Sequence, residues 1–164
     1  MKMYISVNDR DNVERISQLT QKTNQFNLTT RRYSEEQLTQ MIDYKQYEFA
    51  IFSAADFFGD YGVTGLIIFK PHSDDSDDYE IDTLLMSCRV IGRNIEFKFI
   101  NEILKKLKKN GIKKISANYL RSNKNEQVEG FFEKIKFNLI KKNAISKNYE
   151  LIMNDFKYQD LNYI

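Results

Sequence analysis

The chain has 164 residues, a length that suits one domain (1–164) and leaves little room for two. With 25 basic against 23 acidic residues the net charge is +2, which argues against a generic nucleic-acid binder. The single cysteine, Cys88, and single histidine, His72, exclude an internal disulfide and a Cys/His zinc cluster. No apolar run approaches the ~20 residues of a membrane helix, and no signal-peptide core opens the chain. The expectation is a reduced, cytoplasmic, globular domain with no metal, no nucleic acid and no membrane partner.

Residues 10–24 predict a first helix, with Asp11 as cap and Val13, Ile16 and Leu19 at helical spacing. An amide-rich stretch from Gln21 to Asn27 follows. Ser34-Glu35-Glu36-Gln37 is a capping-box pattern that opens a second helix. Tyr47 to Ala54 and Val63 to Phe69 read as strands joined by the turn-rich connection Asp56 to Gly62, a hairpin. Pro71 to Asp78 is a polar, acidic loop, and Tyr79 to Cys88 a third strand. Residues 94–110 predict the clearest helix, closed by Gly111. Lys113 to Leu120 predicts a strand, Asn125 to Ile135 a helix, and 137–140 and 148–153 the closing strands. The order predicts an α+β fold, a mixed, mainly antiparallel sheet with helices on both faces. It is similar to the order of the GNAT acyltransferases.

Several stretches are candidates for chemistry. Gly59 to Gly65 superficially resembles a phosphate loop, but it joins two strands and reads first as a turn. Asp60 at the hairpin mouth remains a candidate catalytic residue. The run from Cys88 to Asn94 lies between a strand and the best helix, the right setting for an anion. Backbone N–H groups at a helix start are unpaired, Gly92 permits close approach, and Arg89 and Arg93 add charge. Arg89-x-x-Gly92-x-Asn94 resembles the Q/R-x-x-G-x-G/A loop with which GNAT enzymes hold the coenzyme A pyrophosphate, with Asn in the last place. Asn125 to Phe137 resembles the last GNAT stretch, N-x-x-A-x-x-x-Y-E-K-x-G-F. Asn125 fits it as a cofactor-side residue, while Phe132 stands where a tyrosine acts as general acid and Lys136 replaces the glycine. Positive neighbours favour the thiolate at Cys88, the form an acyl-accepting nucleophile needs; a buried, inert thiol is the alternative. His72 among its acidic neighbours reads as a solvated loop rather than a metal site. Residues 98–124 hold eight lysines and Arg121 against Glu102. That basic stretch is most simply a solvated face; the alternatives are a surface for nucleic acid, for an acidic carrier protein, or for the phosphates of a pantetheine cofactor.

Three longer runs carry a family resemblance: Arg15 to Tyr33 (RISQLTQKTNQFNLTTRRY), Phe58 to Gly62, and Asp82 to Arg93 (DTLLMSCRVIGR). They resemble the C-terminal GNAT-like domain of the FkbH-like proteins. The resemblance implies loading of a glyceryl unit onto an acyl carrier protein, for methoxymalonyl-type polyketide extender units. It also implies a haloacid-dehalogenase-like phosphatase domain, for which this chain has no candidate; that partner would be a separate domain or chain. In the GNAT fold the connection of the first two helices covers the acceptor site. Gln21, Asn24, Gln25 and Asn27 then become substrate-binding candidates, and Arg31 or Arg32 a phosphate ligand; capping of the first helix and of the loop backbone is the alternative role for the amides.

The expected function is an acyltransferase domain moving a glyceryl-type group to a carrier-protein thiol. Cys88 is its relay, and the phosphopantetheine arm, or coenzyme A, enters beside the third strand with its phosphate near Gly92, Arg93 and Asn94. The alternatives are a coenzyme A-dependent N-acetyltransferase and a non-catalytic carrier-docking domain.

Overall fold

A computed structural model of the chain describes residues 1–45 and 47–161. It opens with a strand the sequence did not announce, β1 (Lys2–Val7). This strand lies at a sheet edge and pairs only with β2, so it needs no strong apolar alternation. A 3-10 turn (Arg10–Asn12) leads into α1 (Val13–Lys22). Asp9, not Asp11, does the capping, since its carboxylate accepts from the Asp11 N–H at 3.0 Å. At α2 (Glu35–Asp43) the capping box forms in full. Gln37 N–H donates to Ser34 Oγ at 3.1 Å, and Ser34 N–H donates to Gln37 Oε1 at 2.9 Å.

The hairpin is present, with longer strands than its apolar runs suggest. β2 (Glu48–Asp56) and β3 (Gly59–Pro71) enclose only Phe57 and Phe58. β4 (Asp78–Met86) ends before Cys88, which therefore lies in the following loop. α3 (Ile95–Lys109) runs to Asn110, and Gly111 takes the left-handed conformation (φ 87°) expected just past a helix end. β5 (Lys114–Leu120) follows. The single helix expected over 125–135 is broken. A 3-10 turn (Glu126–Val128) and the short α4 (Phe131–Lys134) flank Gly130, because a glycine weakens a helix where it falls inside one. β6 (Asn138–Lys142) and β7 (Ser146–Ile152) close the sheet.

The seven strands are ordered β1-β2-β3-β4-β5-β7-β6, antiparallel except for β4 and β5. Helices cover both faces. α1 and α2 place Ile16, Leu19, Leu38 and Met41 against Phe49, Ile51, Leu66 and Leu85. On the other face α3 packs Phe99, Ile100, Ile103 and Leu104 into a larger core shared with Phe131 and Phe132. The acidic loop and the basic stretch partly neutralise each other, through Lys113–Asp77 at 2.5 Å and Lys114–Asp78 at 3.1 Å. No described helix is long and apolar enough to cross a membrane.

One departure from a plain sheet positions everything below. β4 and β5 pair from Asp78↔Lys114 to Ile81↔Ala117, and beyond Ile81 they are no longer paired to each other. The connection between α1 and α2 enters the gap. Leu28 N–H donates to Leu84 O at 3.1 Å, Met86 N–H to Phe26 O at 2.9 Å, and Leu120 N–H to Leu28 O at 2.8 Å.

Candidate functional site around the β4–β5 gap

At the inner end of the gap the polar side chains bond to one another. Asp82 is buried and lies beside a register shift between β3 and β4. Its carboxylate accepts from Arg31 at 2.7 Å on one oxygen, and from the Tyr33 hydroxyl at 2.6 Å and Thr83 at 2.9 Å on the other. Burial first, then the neighbouring Asp82, pushes the Tyr33 phenol far above its ordinary range, so it stays protonated. Arg31, expected to bind a substrate phosphate, thus spends donors on Asp82. Tyr33 ends the run that resembles the FkbH-like domain, and no local spacing in the sequence marks it as a partner of Asp82.

Asn125 is corrected more sharply. It is fully buried. Its Oδ1 accepts from Ser122 N–H (2.8 Å) and the Tyr119 hydroxyl (3.1 Å), and its Nδ2 donates to Asn27 O and Leu120 O, both at 2.9 Å. An asparagine amide has no capacity beyond this, so its side chain holds the protein together rather than a cofactor. Asn27 is also fully buried, donating to Thr23 O at 3.1 Å and accepting from Thr30 N–H at 2.9 Å; it is structural rather than a substrate ligand. Gln21 donates to Tyr33 O at 3.3 Å on the surface. Phe132, in the place of the tyrosine acid, is a core residue packed on Phe137 and Tyr149 at 5.3 and 5.2 Å.

The outer end, beyond Met86, differs. A pocket of about 630 Å³ opens there, and Asn24, Gln25, Phe26, Met86, Cys88 and Lys124 contribute to its wall. Cys88 is exposed, not buried. Asn24 is held by Arg32, which donates to its Oδ1 at 2.6 Å. Arg32 also donates to Thr20 O and to Thr23 O, the latter at 2.7 Å. The arginine thus stiffens the stretch that presents Asn24 and Gln25.

The loop leaving β4 turns sharply. Ser87 N–H donates to Thr64 O at 2.7 Å, and Gly92 (φ 82°) and Asn94 (φ 59°) take left-handed conformations before α3. Asn94 precedes the helix without a side-chain cap bond, and its carbonyl accepts from the Phe97 and Lys98 N–H groups at 3.2 and 3.3 Å. The two arginines divide. Arg89 is exposed, whereas Arg93 pairs with Asp56 at 2.6 Å and lies 5.6 Å over the Tyr61 ring. Burial alone would push the Asp56 carboxyl up. The Phe58 N–H, Arg93 and the Tyr61 hydroxyl outweigh it and hold the group below its ordinary value. Arg93 therefore straps the loop to the hairpin instead of reaching for a cofactor. Asp60 is exposed at the hairpin mouth, where its Oδ1 accepts from Gly62 N–H at 2.7 Å to form the turn.

A second hollow of about 480 Å³ lies between α3 and the last described residues, with Asn94 at its rim and Lys134, Lys136 and Lys157 on its wall. Among the described residues no three His, Cys, Asp or Glu side chains gather as metal ligands.

No protein-family model matches the chain, and no curated protein matches it. Solved structures do. The ribosomal-protein-S18-alanine N-acetyltransferase from Escherichia coli is 11% identical, with a TM-score of 0.70 over 98% of this chain and 99% of that one. The PaiA N-acetyltransferase from Thermoplasma acidophilum, solved in complex with coenzyme A, is 17% identical, with a TM-score of 0.66 over 93% and 99%. A variant of the spermidine N-acetyltransferase from Vibrio cholerae is 14% identical, with a TM-score of 0.69 over 98% of both chains. At such identities the likeness is one of architecture, and by that measure the chain has the fold of the GNAT N-acetyltransferases.

Proposed function

We propose that the chain is an acyltransferase domain that moves a short, glyceryl-type acyl group to the pantetheine thiol of an acyl carrier protein. The observation that carries this reading is the outer pocket, where the chain's one thiol is exposed beside the amides of Asn24 and Gln25. The Cys88 thiolate attacks the carbonyl carbon of a donor thioester. A new C–S bond forms, the donor C–S bond breaks, and the donor leaves as a thiolate. The pantetheine thiolate then attacks the Cys88 thioester and Cys88 leaves as thiolate. Asn24 and Gln25 offer donors and acceptors to acyl hydroxyls. Arg89 and the backbone at Gly92 and Asn94 face the phosphate of the arm.

The nature of the acyl group and the carrier rests on the runs that resemble the FkbH-like domain, and on the exposed Lys105, Lys106, Lys108 and Lys109 of α3, a surface suited to an acidic carrier. The solved N-acetyltransferases, one of them with coenzyme A bound, favour a second reading, a coenzyme A-dependent N-acetyltransferase. Against it, the buried ring of Phe132 offers no hydroxyl.

Intact-mass analysis separates the readings. The chain is incubated with an acyl thioester and a carrier protein, with and without a phosphatase-like partner. The expected result is an acyl adduct on Cys88 that passes to the carrier. A Cys88→Ala chain that still transfers at the native rate overturns the relay. Acetyl transfer from acetyl-coenzyme A to an amine, with no adduct, establishes the second reading.

A further inference from the structure

The gap between β4 and β5 is filled by the chain itself. Phe26 and Leu28 are buried there, bonded on one side to Leu84 and Met86 and on the other to Leu120. Thr29 adds a bond from its hydroxyl to Asp82 O at 2.9 Å, and Asn125 one to Asn27 O. An extended ligand seeking main-chain bonds at this end of β4 would need the Met86 N–H and Leu84 O that the segment already uses. The outer pocket thus ends where the segment begins. Phe26 lines the pocket and packs edge-on to Phe131 at 5.1 Å. Together with Met86 it separates a polar wall (Lys22, Asn24, Gln25, Lys124) from the apolar core.

We propose that Phe26 is the specificity-determining residue of this pocket: its ring is a floor that admits a short, polar acyl group and turns away a longer apolar one. This rests on the acyl-transfer reading above and adds the substrate class. A polar wall over a closed apolar floor gives hydroxyl or carboxylate groups hydrogen-bond partners. It gives added methylenes no path past Phe26 and Met86 into the β4–β5 gap, which the segment fills.

The test loads Cys88 from acetyl-pantetheine and hexanoyl-pantetheine and reads adduct formation by intact mass. In the native chain hexanoyl loading is expected to be at least about tenfold slower, the lower range for methylene discrimination in a fitted pocket. Phe26→Ala removes the floor and narrows the ratio to about threefold or less, with Phe26→Leu between the two. Equal rates in the native chain overturn the proposal, as does an unchanged ratio in a Phe26→Ala chain with native circular dichroism. Where Phe26→Ala does not fold, Phe26→Leu decides in the same way. Absence of any acyl adduct overturns the transfer reading. The floor is then read from alkylation of Cys88 by N-methylmaleimide and N-hexylmaleimide, where the same rate ratio in native and variant chains rejects it.

Discussion

The two ends of the β4–β5 gap are built from similar residues and used in opposite ways. At the inner end Asp82, Arg31 and Tyr33 bond to one another, and the buried Asn125 is likewise spent on Asn27, Leu120, Ser122 and Tyr119. At the outer end Gln25, Cys88 and Arg89 are exposed. Buried polar groups must be satisfied by the fold itself, since an unmade hydrogen bond there costs more than a made one contributes. Polar groups at the rim are satisfied by water and remain free to exchange it for a ligand. The lesson is to look for chemistry where bonding capacity is left over.

That contrast predicts large stability effects inside and small ones outside. Asn125→Ala strands Asn27 O, Leu120 O, Ser122 N–H and the Tyr119 hydroxyl together. Denaturant unfolding should show a loss of about 4 kcal/mol, and a loss below about 1 kcal/mol would break the distinction. Asp82→Asn keeps an acceptor for Tyr33 but removes the charge facing Arg31. A loss of about 2 kcal/mol is expected, discounted because Arg31 is part-exposed.

Next comes a pH effect at Glu96 in the first turn of α3. Burial raises its carboxyl above the ordinary 4.5, an effect its own N–H and Lys134 only partly offset. The folded state therefore holds this proton more tightly than the unfolded state. Its contribution is full below about 4.5 and is lost as pH rises through the raised value. Glu96→Gln should flatten that decline in unfolding free energy, and an identical pH profile in both chains would count against it. Smallest of all, Cys88→Ala and Gln25→Ala should alter stability by no more than about 0.5 kcal/mol. The first of these should nonetheless abolish the acyl adduct, which intact mass reads directly.

Much of this is legible in the sequence, for a physical reason. α3 shows its apolar face at helical spacing and its glycine stop, α2 carries its capping box in four consecutive residues, and the hairpin carries turn residues between two apolar runs. Each is a local signal. The break at Gly130 was hidden because Val128, Phe131, Phe132 and Ile135 fit a continuous helix equally well. β1 was hidden because an exposed edge strand has little pattern to display. At the site, residue types were readable but their engagements were not. Arg93 meets Asp56 across 37 positions and Arg31 meets Asp82 across 51. A guanidinium committed to a distant carboxylate looks the same in the sequence as one awaiting a phosphate. Asn125 fits a motif in the sequence, yet its four bonds make it a fastening rather than a ligand contact.

The bond from Asn125 to Asn27 joins residues 98 positions apart, and this has a consequence for how the molecule assembles. Closing so long a loop early is entropically unfavourable. The hairpin, helices and neighbouring strands close far shorter loops first. The Phe26–Thr29 segment is then expected to lock in last, so that the outer pocket is among the final features to appear on the folding pathway. Pulsed hydrogen exchange during refolding checks this order: the amides of Leu28 and Met86 should gain protection after those of the β2–β3 hairpin, and simultaneous protection would refute it.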